Sequence, residues 1–389
     1  MAEYVINQYR GVFKRAVELY ENEKFKECSQ MFESVVKNDP ENFQAHYYLA
    51  DLCYYGKGVP KNIKRAFQLY MTAATNKITE AQYMVGMCYL EGNGTMQDST
   101  QAVAWFTEAA KYAHPLSQYY LGLAYMKGAG IQKDIPRAAQ WLVHAAKQGI
   151  VDAQRDAAIC YEEIGKMKGA ATLYLAGAEN GDPYCMEKIA DCYADGNGTL
   201  QCTELAVHYY ELAAENGNVK AQVKMANRYF KGNGVKQSIK NAIYWYQKAA
   251  NNEDPEAMNA LAECYHLGDG VVKNDQTAIS WWTKAATAEN VDAMIHLAEN
   301  LTDPTDPFID QDLVTAKYWW SKAAEAGDTY AMYRLGDCFE KGIGVSVVNI
   351  DDAYKWYRLA AQNGNNDAIE ACKRFTKGVG GKVKVKKAK

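Results

Sequence analysis

The sequence predicts an all-α fold, a solenoid of stacked helix-turn-helix repeats. Three observations predict it: one pattern recurs about every 36 residues, its apolar members keep the helical period, and most of its internal connections contain Gly-x-Gly. The chain has 389 residues, of which 48% are hydrophobic and 23% are charged. This composition supplies a large core and excludes a fully disordered chain or a collagen.

The first helix of each repeat, called helix A, carries the pattern Ala-x-x-x-Leu-Ala/Gly-x-x-Tyr. The Leu-equivalent position is occupied by Leu49, Val85, Leu121, Ala157, Ile189, Met225, Leu261, Leu297 and Leu335. Residues three and four apart share one face of a helix, whereas the side chains of a strand alternate with a period of two. The pattern therefore predicts nine A helices, each with one apolar face.

The second helix, called helix B, contains a small residue, a large pair and a small pair. In the second repeat these are Ala102, Trp105, Phe106, Ala109 and Ala110. All eight tryptophans occupy one of the two large positions, which indicates packing rather than chemistry. Gly-x-Gly follows helix A in seven of the nine repeats, and glycine beyond a helix end adopts a left-handed backbone without a Cβ penalty. Each repeat is predicted to be a helical hairpin.

Two repeats have unusual connections between helix A and helix B. The connection in the Ala157 repeat is four residues shorter and lacks Gly-x-Gly, whereas residues 302–312 after Leu297 form a longer, acidic connection. We interpret both as tolerated length variants rather than partner contacts. The aspartates of the longer connection lack the calcium-loop spacing and its closing glutamate, so solvated charge is expected there. These aspartates are Asp303, Asp306, Asp310 and Asp312.

The helix A and helix B patterns resemble those of the Sel-one-like repeat family, relatives of the tetratricopeptide repeat that form right-handed α-solenoids. The resemblance covers about residues 41–375 as nine repeats. Upstream, residues 24–40 are similar to the second helix and terminating proline of an ordinary tetratricopeptide repeat, so residues 1–40 are expected to form one such unit. Because relatives serve as adaptors, the resemblance implies a non-catalytic scaffold whose partners are proteins or peptides.

The sequence contains few motifs of the kind that form catalytic or cofactor-binding sites. It has no phosphate-binding loop, dinucleotide fingerprint, zinc-protease motif or nucleophile elbow, and its six histidines fall in different repeats. No enzyme activity, metal or cofactor is therefore expected. Ser34 and Lys37 match the Ser-x-x-Lys spacing of penicillin-interacting enzymes, but the companion Lys-Thr-Gly is missing and Val35 occupies a packing position. A hydrolase or binder of cell-wall compounds is the alternative.

The ten cysteines favour a reduced protein. Five occupy one position of helix A while the small pair of helix B contains none, so the hairpin disulfides of certain secreted relatives have no counterpart here. Equivalent positions in neighbouring repeats are expected to lie roughly 8–10 Å apart, beyond the reach of a disulfide. The five are Cys88, Cys160, Cys192, Cys264 and Cys338. No apolar run approaches the roughly 20 residues that cross a bilayer, and residues 1–20 lack a signal-peptide pattern, so a cytoplasmic location is predicted.

The outward-facing residues of helix A form the candidate binding surface, because helix A lines the concave groove in the superfamily that this chain resembles. The relevant places lie two residues before, two after and five after the Leu-equivalent position. In the first three repeats they hold aromatic and apolar residues: Tyr47, Tyr54, Tyr83, Met87, Leu90, Tyr119, Leu123 and Met126. In later repeats they hold the acidic residues Glu187, Asp191, Glu263, Glu299, Asp337 and Glu340.

This gradient along helix A predicts a groove with one aromatic and one acidic end. Exposed apolar surface usually marks a binding site, although a helix A buried between its neighbours would explain the same residues as core. We expect an amphipathic helix or an extended segment of a partner to dock on the aromatic end.

The end of the chain differs in charge from the rest. Residues 377–389 contain six lysines and no acid, which leaves 37 basic and 47 acidic residues elsewhere. The negative body disfavours nucleic-acid binding outside this segment. Residues 376–389 are expected to form a disordered, lysine-rich tail. Alternatives are that the tail binds RNA or an anionic surface, binds an acidic partner, or folds back on the acidic end of the groove.

Overall fold

The computed structural model describes residues 2–302, 312–377 and 383–385, and it divides into two compact units, Met1–Cys202 and Thr203–Lys389. The first unit contains α1 (Ala2–Glu21), α2 (Phe25–Asn38), α3 (Phe43–Tyr55), α4 (Ile63–Thr75), α5 (Thr79–Glu91), α6 (Ser99–Lys111), α7 (Pro115–Lys127), α8 (Ile135–Lys147), α9 (Val151–Glu163), α10 (Met167–Glu179) and α11 (Pro183–Asp195). The second unit contains α12 (Thr203–Glu215), α13 (Val219–Lys231), α14 (Ile239–Asn251), α15 (Pro255–Leu267), α16 (Asp275–Thr287), α17 (Val291–Thr302), α18 (Leu313–Glu325), α19 (Thr329–Lys341), α20 (Ile350–Gln362), α21 (Asn366–Lys373), β1 (Phe375–Lys377) and β2 (Val383–Val385).

Within each unit, consecutive helices pack against each other as hairpins, which confirms the predicted all-α solenoid of helical hairpins. The N-cap of α8 is Asp134, whose carboxylate accepts a hydrogen bond from the backbone N–H of Arg137 at 2.9 Å. The C-cap of α7 is Gly128, which has the left-handed φ of 73° that the sequence predicted. The acidic connection expected at residues 302–312 lies mostly outside the described residues, and none of the described helices is both long and apolar enough to cross a membrane.

The second glycine of Gly-x-Gly has a separate role that the sequence analysis missed. A Cβ atom placed on Gly130 would lie 2.3 Å from the carbonyl oxygen of Ser99, the first residue of α6. The turn that ends helix A therefore contacts the helix B of the preceding repeat, and no larger residue fits there. Gly-x-Gly thus ends a helix with its first residue and joins two repeats with its second.

Small residues let the two helices of a hairpin approach closely. Gly86 follows the Leu-equivalent Val85, and a Cβ atom on Gly86 would lie 2.5 Å from Cε1 of Phe106. The Phe106 ring therefore lies directly against the backbone of α5. Leu121 and Leu142 are buried in the next hairpin, and Gly122 has the same close approach to Leu142 at 2.6 Å. The predicted small positions of helix A are confirmed as sites of close packing.

The N-terminal hairpin of α1 and α2 packs on the first A helix. The ring of Phe32 stacks on Tyr48 with centroids 5.2 Å apart. The carboxylate of Asp51 accepts hydrogen bonds from the hydroxyls of Tyr20 and Tyr70, so one buried acid connects α1, α3 and α4. A hairpin is what the sequence analysis expected of residues 1–40, and its assignment as a tetratricopeptide unit stays a prediction.

The repeat with the short connection also forms a hairpin. Helices α9 and α10 are joined by three residues, and a Cβ atom on Gly169 would lie 2.6 Å from the ring of Tyr161. The hydroxyl of Tyr174 donates to Glu162 at 2.6 Å, which links helix B to helix A. The missing residues therefore shorten the turn without removing the helix pair.

The end of the chain differs from the expected disordered tail. Strands β1 and β2 form an antiparallel pair in which Phe375 is opposite Val385. Phe375 is 6% exposed and its ring lies 5.8 Å from that of Tyr357, while the backbone N–H of Val383 donates to Asp351 at 3.0 Å. Valine and lysine alternate in β2, and Val383 packs against the terminal apolar cluster of Tyr357 and Phe375. The remaining tail residues lie outside the described part.

The cysteines are buried thiols in most positions. Eight of the ten are buried, and Cys202 and Cys372 are partly exposed. Burial raises the pKa of the Cys88 thiol to about 12 and that of Cys160 to about 11. These thiols are therefore protonated at neutral pH and are poor nucleophiles.

Candidate partner-binding surface

The eight aromatic and apolar residues predicted for partner binding lie on three A helices of the first unit, α3, α5 and α7. All eight are partly buried, so neither full exposure nor complete burial describes them. They are called the aromatic surface below. Its members are Tyr47, Tyr54, Tyr83, Met87, Leu90, Tyr119, Leu123 and Met126.

The two tyrosines contributed by α3 are fixed by neighbouring side chains. The rings of Tyr47 and Tyr70 lie 6.1 Å apart, and burial together with the charge of Asp51 raises the pKa of Tyr47. The hydroxyl of Tyr54 accepts a hydrogen bond from the Asn93 amide at 2.9 Å. Both phenols are protonated, so this part of the surface offers hydroxyl groups and ring edges but no charge.

Tyr83 on α5 stacks on a histidine that caps the next A helix. The centroids of Tyr83 and His114 are 4.8 Å apart. Nδ1 of His114 accepts a hydrogen bond from the backbone N–H of Ser117 at 3.1 Å, so His114 is the N-cap of α7. Burial lowers the pKa of His114, against the opposing charge of Glu80. The imidazole is therefore neutral at physiological pH.

The N-cap role of His114 predicts a pH dependence of stability. Because folding lowers the pKa below the ordinary value of 6.5, His114 contributes fully above that value, and its contribution is lost as the pH falls through the folded-state pKa. His114→Asn keeps a capping acceptor that does not titrate. We expect the urea midpoint of the wild type to fall further than that of His114→Asn between about pH 7.5 and about pH 5.5. Equal losses in the two proteins would contradict this role.

Tyr119 on α7 is held by the following repeat. Its hydroxyl donates to Asp156 at 3.1 Å, and Nε of Arg155 lies 3.6 Å from the same carboxyl group. Burial raises the pKa of Asp156, while Arg155 acts in the opposite direction. Arg155 also pairs with Asp182 at 3.0 Å. The ring of Tyr119 is thus positioned by a charge network rather than by apolar packing alone.

A cavity of about 160 Å³ opens between α5, α6 and α7. The sequence predicted two of its lining residues, Leu90 and Leu123, as partner-binding. It did not predict Val103, Phe106 or Tyr120, because Val103 and Phe106 belong to helix B, which was interpreted as packing only. The lining is Leu90, Ser99, Ala102, Val103, Phe106, Tyr120, Leu123, Ala124, Lys127 and Ala129.

Several acidic residues that were expected to face outward are engaged inside the protein. Asp337 is 8% exposed and accepts a hydrogen bond from the Tyr357 hydroxyl at 2.7 Å. Glu340 Oε2 lies 2.7 Å from the same hydroxyl oxygen, so the two carboxylates share its one proton, and Glu340 pairs with Arg374 at 2.9 Å. Glu187, in the first unit, is 3% exposed. Outward orientation was therefore wrong for Asp337 and Glu187, because both side chains are buried, and Asp337 faces helix α20 of its own hairpin.

The other predicted acidic residues are partly buried. Glu263 accepts a hydrogen bond from Asn259 at 2.8 Å and lies 3.4 Å from Nε2 of His296. The hydrogen bond to Glu263 raises the pKa of His296, against the effect of burial. Glu299 accepts from the Tyr330 hydroxyl at 2.8 Å. Asp191 lies on α11 of the first unit, whereas Glu263 and Glu299 lie on α15 and α17 of the second.

One rule explains part of the change from apolar to acidic residues along helix A. In three repeats, the tyrosine at the second large position of helix B donates a hydrogen bond to the residue two places after the Leu-equivalent. These pairs are Tyr70 with Asp51, Tyr246 with Asn227, and Tyr357 with Asp337. Where helix B carries Phe106, which has no hydroxyl, the equivalent residue is Met87. In the three paired repeats the polar residue thus satisfies a hydroxyl of helix B, whereas Glu263 and Glu299 occupy this place in repeats without such a tyrosine.

The Ser-x-x-Lys pair shows no arrangement for nucleophilic catalysis. Ser34 is partly exposed on α2, Lys37 is exposed, and Val35 between them is buried in the core. Within residues 2–302, 312–377 and 383–385, no group of histidine, cysteine, aspartate or glutamate side chains is placed to hold a metal ion.

Stacked helical hairpins define a helical-repeat protein. The chain belongs to the Sel1 repeat family, as the sequence analysis predicted. The family model, described as "Sel1 repeat", matches residues 43–77, 79–111, 115–150, 183–218, 219–254, 255–290, 291–328 and 329–365. The unmatched residues 151–182 contain the repeat with the short connection. Repeats of this family generally mediate protein interactions and are generally non-catalytic.

Two solved structures are similar to this chain. A protective antigen with an SLR fold from uropathogenic Escherichia coli is 27% identical and superposes with a TM-score of 0.80, covering 96% of this chain and 81% of the antigen. A Sel1 repeat protein from Oxalobacter formigenes is 26% identical with a TM-score of 0.48, covering 88% of this chain and 89% of that protein. A search of curated proteins found no match.

Proposed function

We propose that the protein is a non-catalytic, cytoplasmic scaffold or adaptor that binds a protein or peptide through the aromatic surface. The observation that carries the proposal is the row of eight half-buried aromatic and apolar side chains on α3, α5 and α7. Side chains of this kind combine apolar contact area with hydroxyl groups, as binding hot spots do.

The aromatic surface is held in place before any partner binds. Tyr54 is fixed by Asn93, Tyr83 by stacking on His114, and Tyr119 by Asp156. Rigid aromatic side chains lose little conformational entropy on binding, so more of the contact energy is available as affinity. An amphipathic helix or an extended segment is the occupant that fits a row of this kind.

Replacing Tyr83 and Tyr119 together by alanine is expected to abolish partner capture while the helical circular dichroism is unchanged. The reason is that the two rings are the largest contact groups on α5 and α7. The measurement is a quantitative pull-down with mass spectrometry, comparing the same captured proteins between variants. Met87→Lys with Met126→Lys is a second variant, because it leaves the hydrogen bond between Tyr119 and Asp156 intact.

Tyr244→Ala is the matched control, since this tyrosine is 53% exposed on α14 and lies outside the aromatic surface. It is expected to capture partners as the wild type does. Capture that survives in both surface variants would reject the aromatic surface as the binding site.

The lysine-rich end supports a second candidate, binding to RNA or an anionic surface. The residue that favours it is Lys384, which is exposed on β2. Because Phe375 is buried in the last repeat, the variant that tests this candidate lacks residues 386–389 and keeps Phe375, so that the repeat stays covered. A lysine contact with phosphate makes binding steeply dependent on salt.

A further inference from the structure

We infer that the cavity between α5, α6 and α7 is the anchor site of the aromatic surface. It takes one branched aliphatic or aromatic side chain that is carried next to an anionic group. This inference rests on the proposed function and specifies the chemistry of the partner.

The walls of the cavity are apolar. Val103 and Phe106 form its buried side, and Leu90 and Leu123 are half-buried at its mouth. A volume of about 160 Å³ accommodates a single side chain rather than a helix or a cofactor. Burial of such a side chain is favoured by the apolar surface that it removes from water.

The cavity is preformed. The Phe106 ring lies against the backbone at Gly86 and stacks on Tyr120, with centroids 5.3 Å apart and planes 17° apart. The turn at Gly130 lies against the carbonyl group of Ser99, which fixes the opposite wall. An entering side chain therefore needs no rearrangement of the walls, and the entropic cost of binding is small.

The charged group at the mouth of the cavity is a cation. Lys127 is exposed at the end of α7, and in the described part of the chain no carboxylate lies within ion-pair distance of it. Glu91 follows Leu90, but its carboxylate accepts a hydrogen bond from the Asn93 amide at 2.6 Å, and that amide also donates to Tyr54. Glu91 does not line the cavity, and Lys127 is the one lining residue that is charged at neutral pH, so the mouth favours an anion beside the apolar anchor.

Two small probes, observed by ligand NMR, test this chemistry without a partner. Indole-3-acetate combines an apolar body the size of one side chain with an anion, and 3-methylindole has the same ring system without the charge. Lys127→Glu is expected to raise the dissociation constant of indole-3-acetate about tenfold and to leave that of the neutral probe unchanged. Leu123→Trp, which fills the mouth, is expected to weaken both probes.

Lys147→Glu is the matched control, because Lys147 is likewise the exposed last residue of its helix, α8, and does not line the cavity. It is expected to bind both probes as the wild type does. Unchanged indole-3-acetate binding in Lys127→Glu, or equal weakening by the control, overturns the inference. Neither probe measurement uses a partner. The failure of this inference is therefore distinguishable from the failure of partner capture by the aromatic surface. Lys127 is exposed, so its substitution keeps the test valid where Leu123→Trp fails to fold.

Discussion

Replacing Asp51 by alanine is expected to lower the free energy of unfolding of the first unit by about 2–4 kcal/mol. Asp51 is 8% exposed and accepts hydrogen bonds from Tyr20 on α1 and Tyr70 on α4. Alanine leaves both hydroxyls without an acceptor in a buried setting, and each unpaired hydroxyl costs about 1–3 kcal/mol. The N-terminal hairpin would then lose its polar link to the first repeat.

Urea unfolding followed by circular dichroism measures this loss. Asp51→Asn keeps one oxygen acceptor and is expected to lose about half as much. The Tyr20→Phe variant, combined with Asp51→Ala in a double-mutant cycle, isolates the coupling between the two side chains. A coupling energy near zero, or an unchanged midpoint in Asp51→Ala, would show that the acid does not link the two elements.

Phe375→Ala is expected to destabilise the C-terminal end of the second unit by about 3–5 kcal/mol. The ring is buried, and its centroid lies 5.5 Å from that of Tyr354 and 5.8 Å from that of Tyr357. Beyond α19, the described elements that pack on α20 are α21 and the β1–β2 pair, to which Phe375 belongs, so truncation of this side chain exposes the apolar side of α20.

Hydrogen exchange is the sharpest measurement, because the loss is confined to α20, α21 and the strands. Amides of these elements are expected to exchange faster in Phe375→Ala, while those of α13 to α15 are unchanged. Thr376→Ala is the matched control, since Thr376 is the exposed neighbour in the same strand. Equal amide exchange rates in Phe375→Ala and Thr376→Ala would show that the stability of the terminal repeat does not depend on the Phe375 ring.

The aromatic surface was predicted in part from the sequence. The repeat spacing placed Tyr83 and Tyr119 on neighbouring A helices, and the structure has them there. It did not reveal that Tyr119 donates to Asp156 in the next repeat or that Tyr83 stacks on His114. Those partners lie in other repeats, at 37 and 31 residues along the chain, and no periodic pattern within one helix specifies them.

For the acidic residue Asp337 the sequence predicted exposure, whereas the structure shows burial. Position in the repeat assigned Asp337 to an outward place, but the helix A position that is solvated in one repeat meets a tyrosine hydroxyl in another. In the Asp337 repeat the facing residue of helix B is Tyr357, whose hydroxyl donates to the carboxylate. A hydroxyl that becomes buried requires an acceptor, and the acid supplies it.

By itself the sequence determined the helical hairpin, its period, the glycine that ends helix A and the small residues that allow close packing. These follow from local rules, because helical spacing and left-handed glycine depend on residues within one or two turns. Only the tertiary structure decided which polar side chains are used internally, where the cavity opens and that Phe375 covers the last repeat. Burial and hydrogen-bond pairing depend on side chains that meet from different repeats, so they arise only once the helices stack.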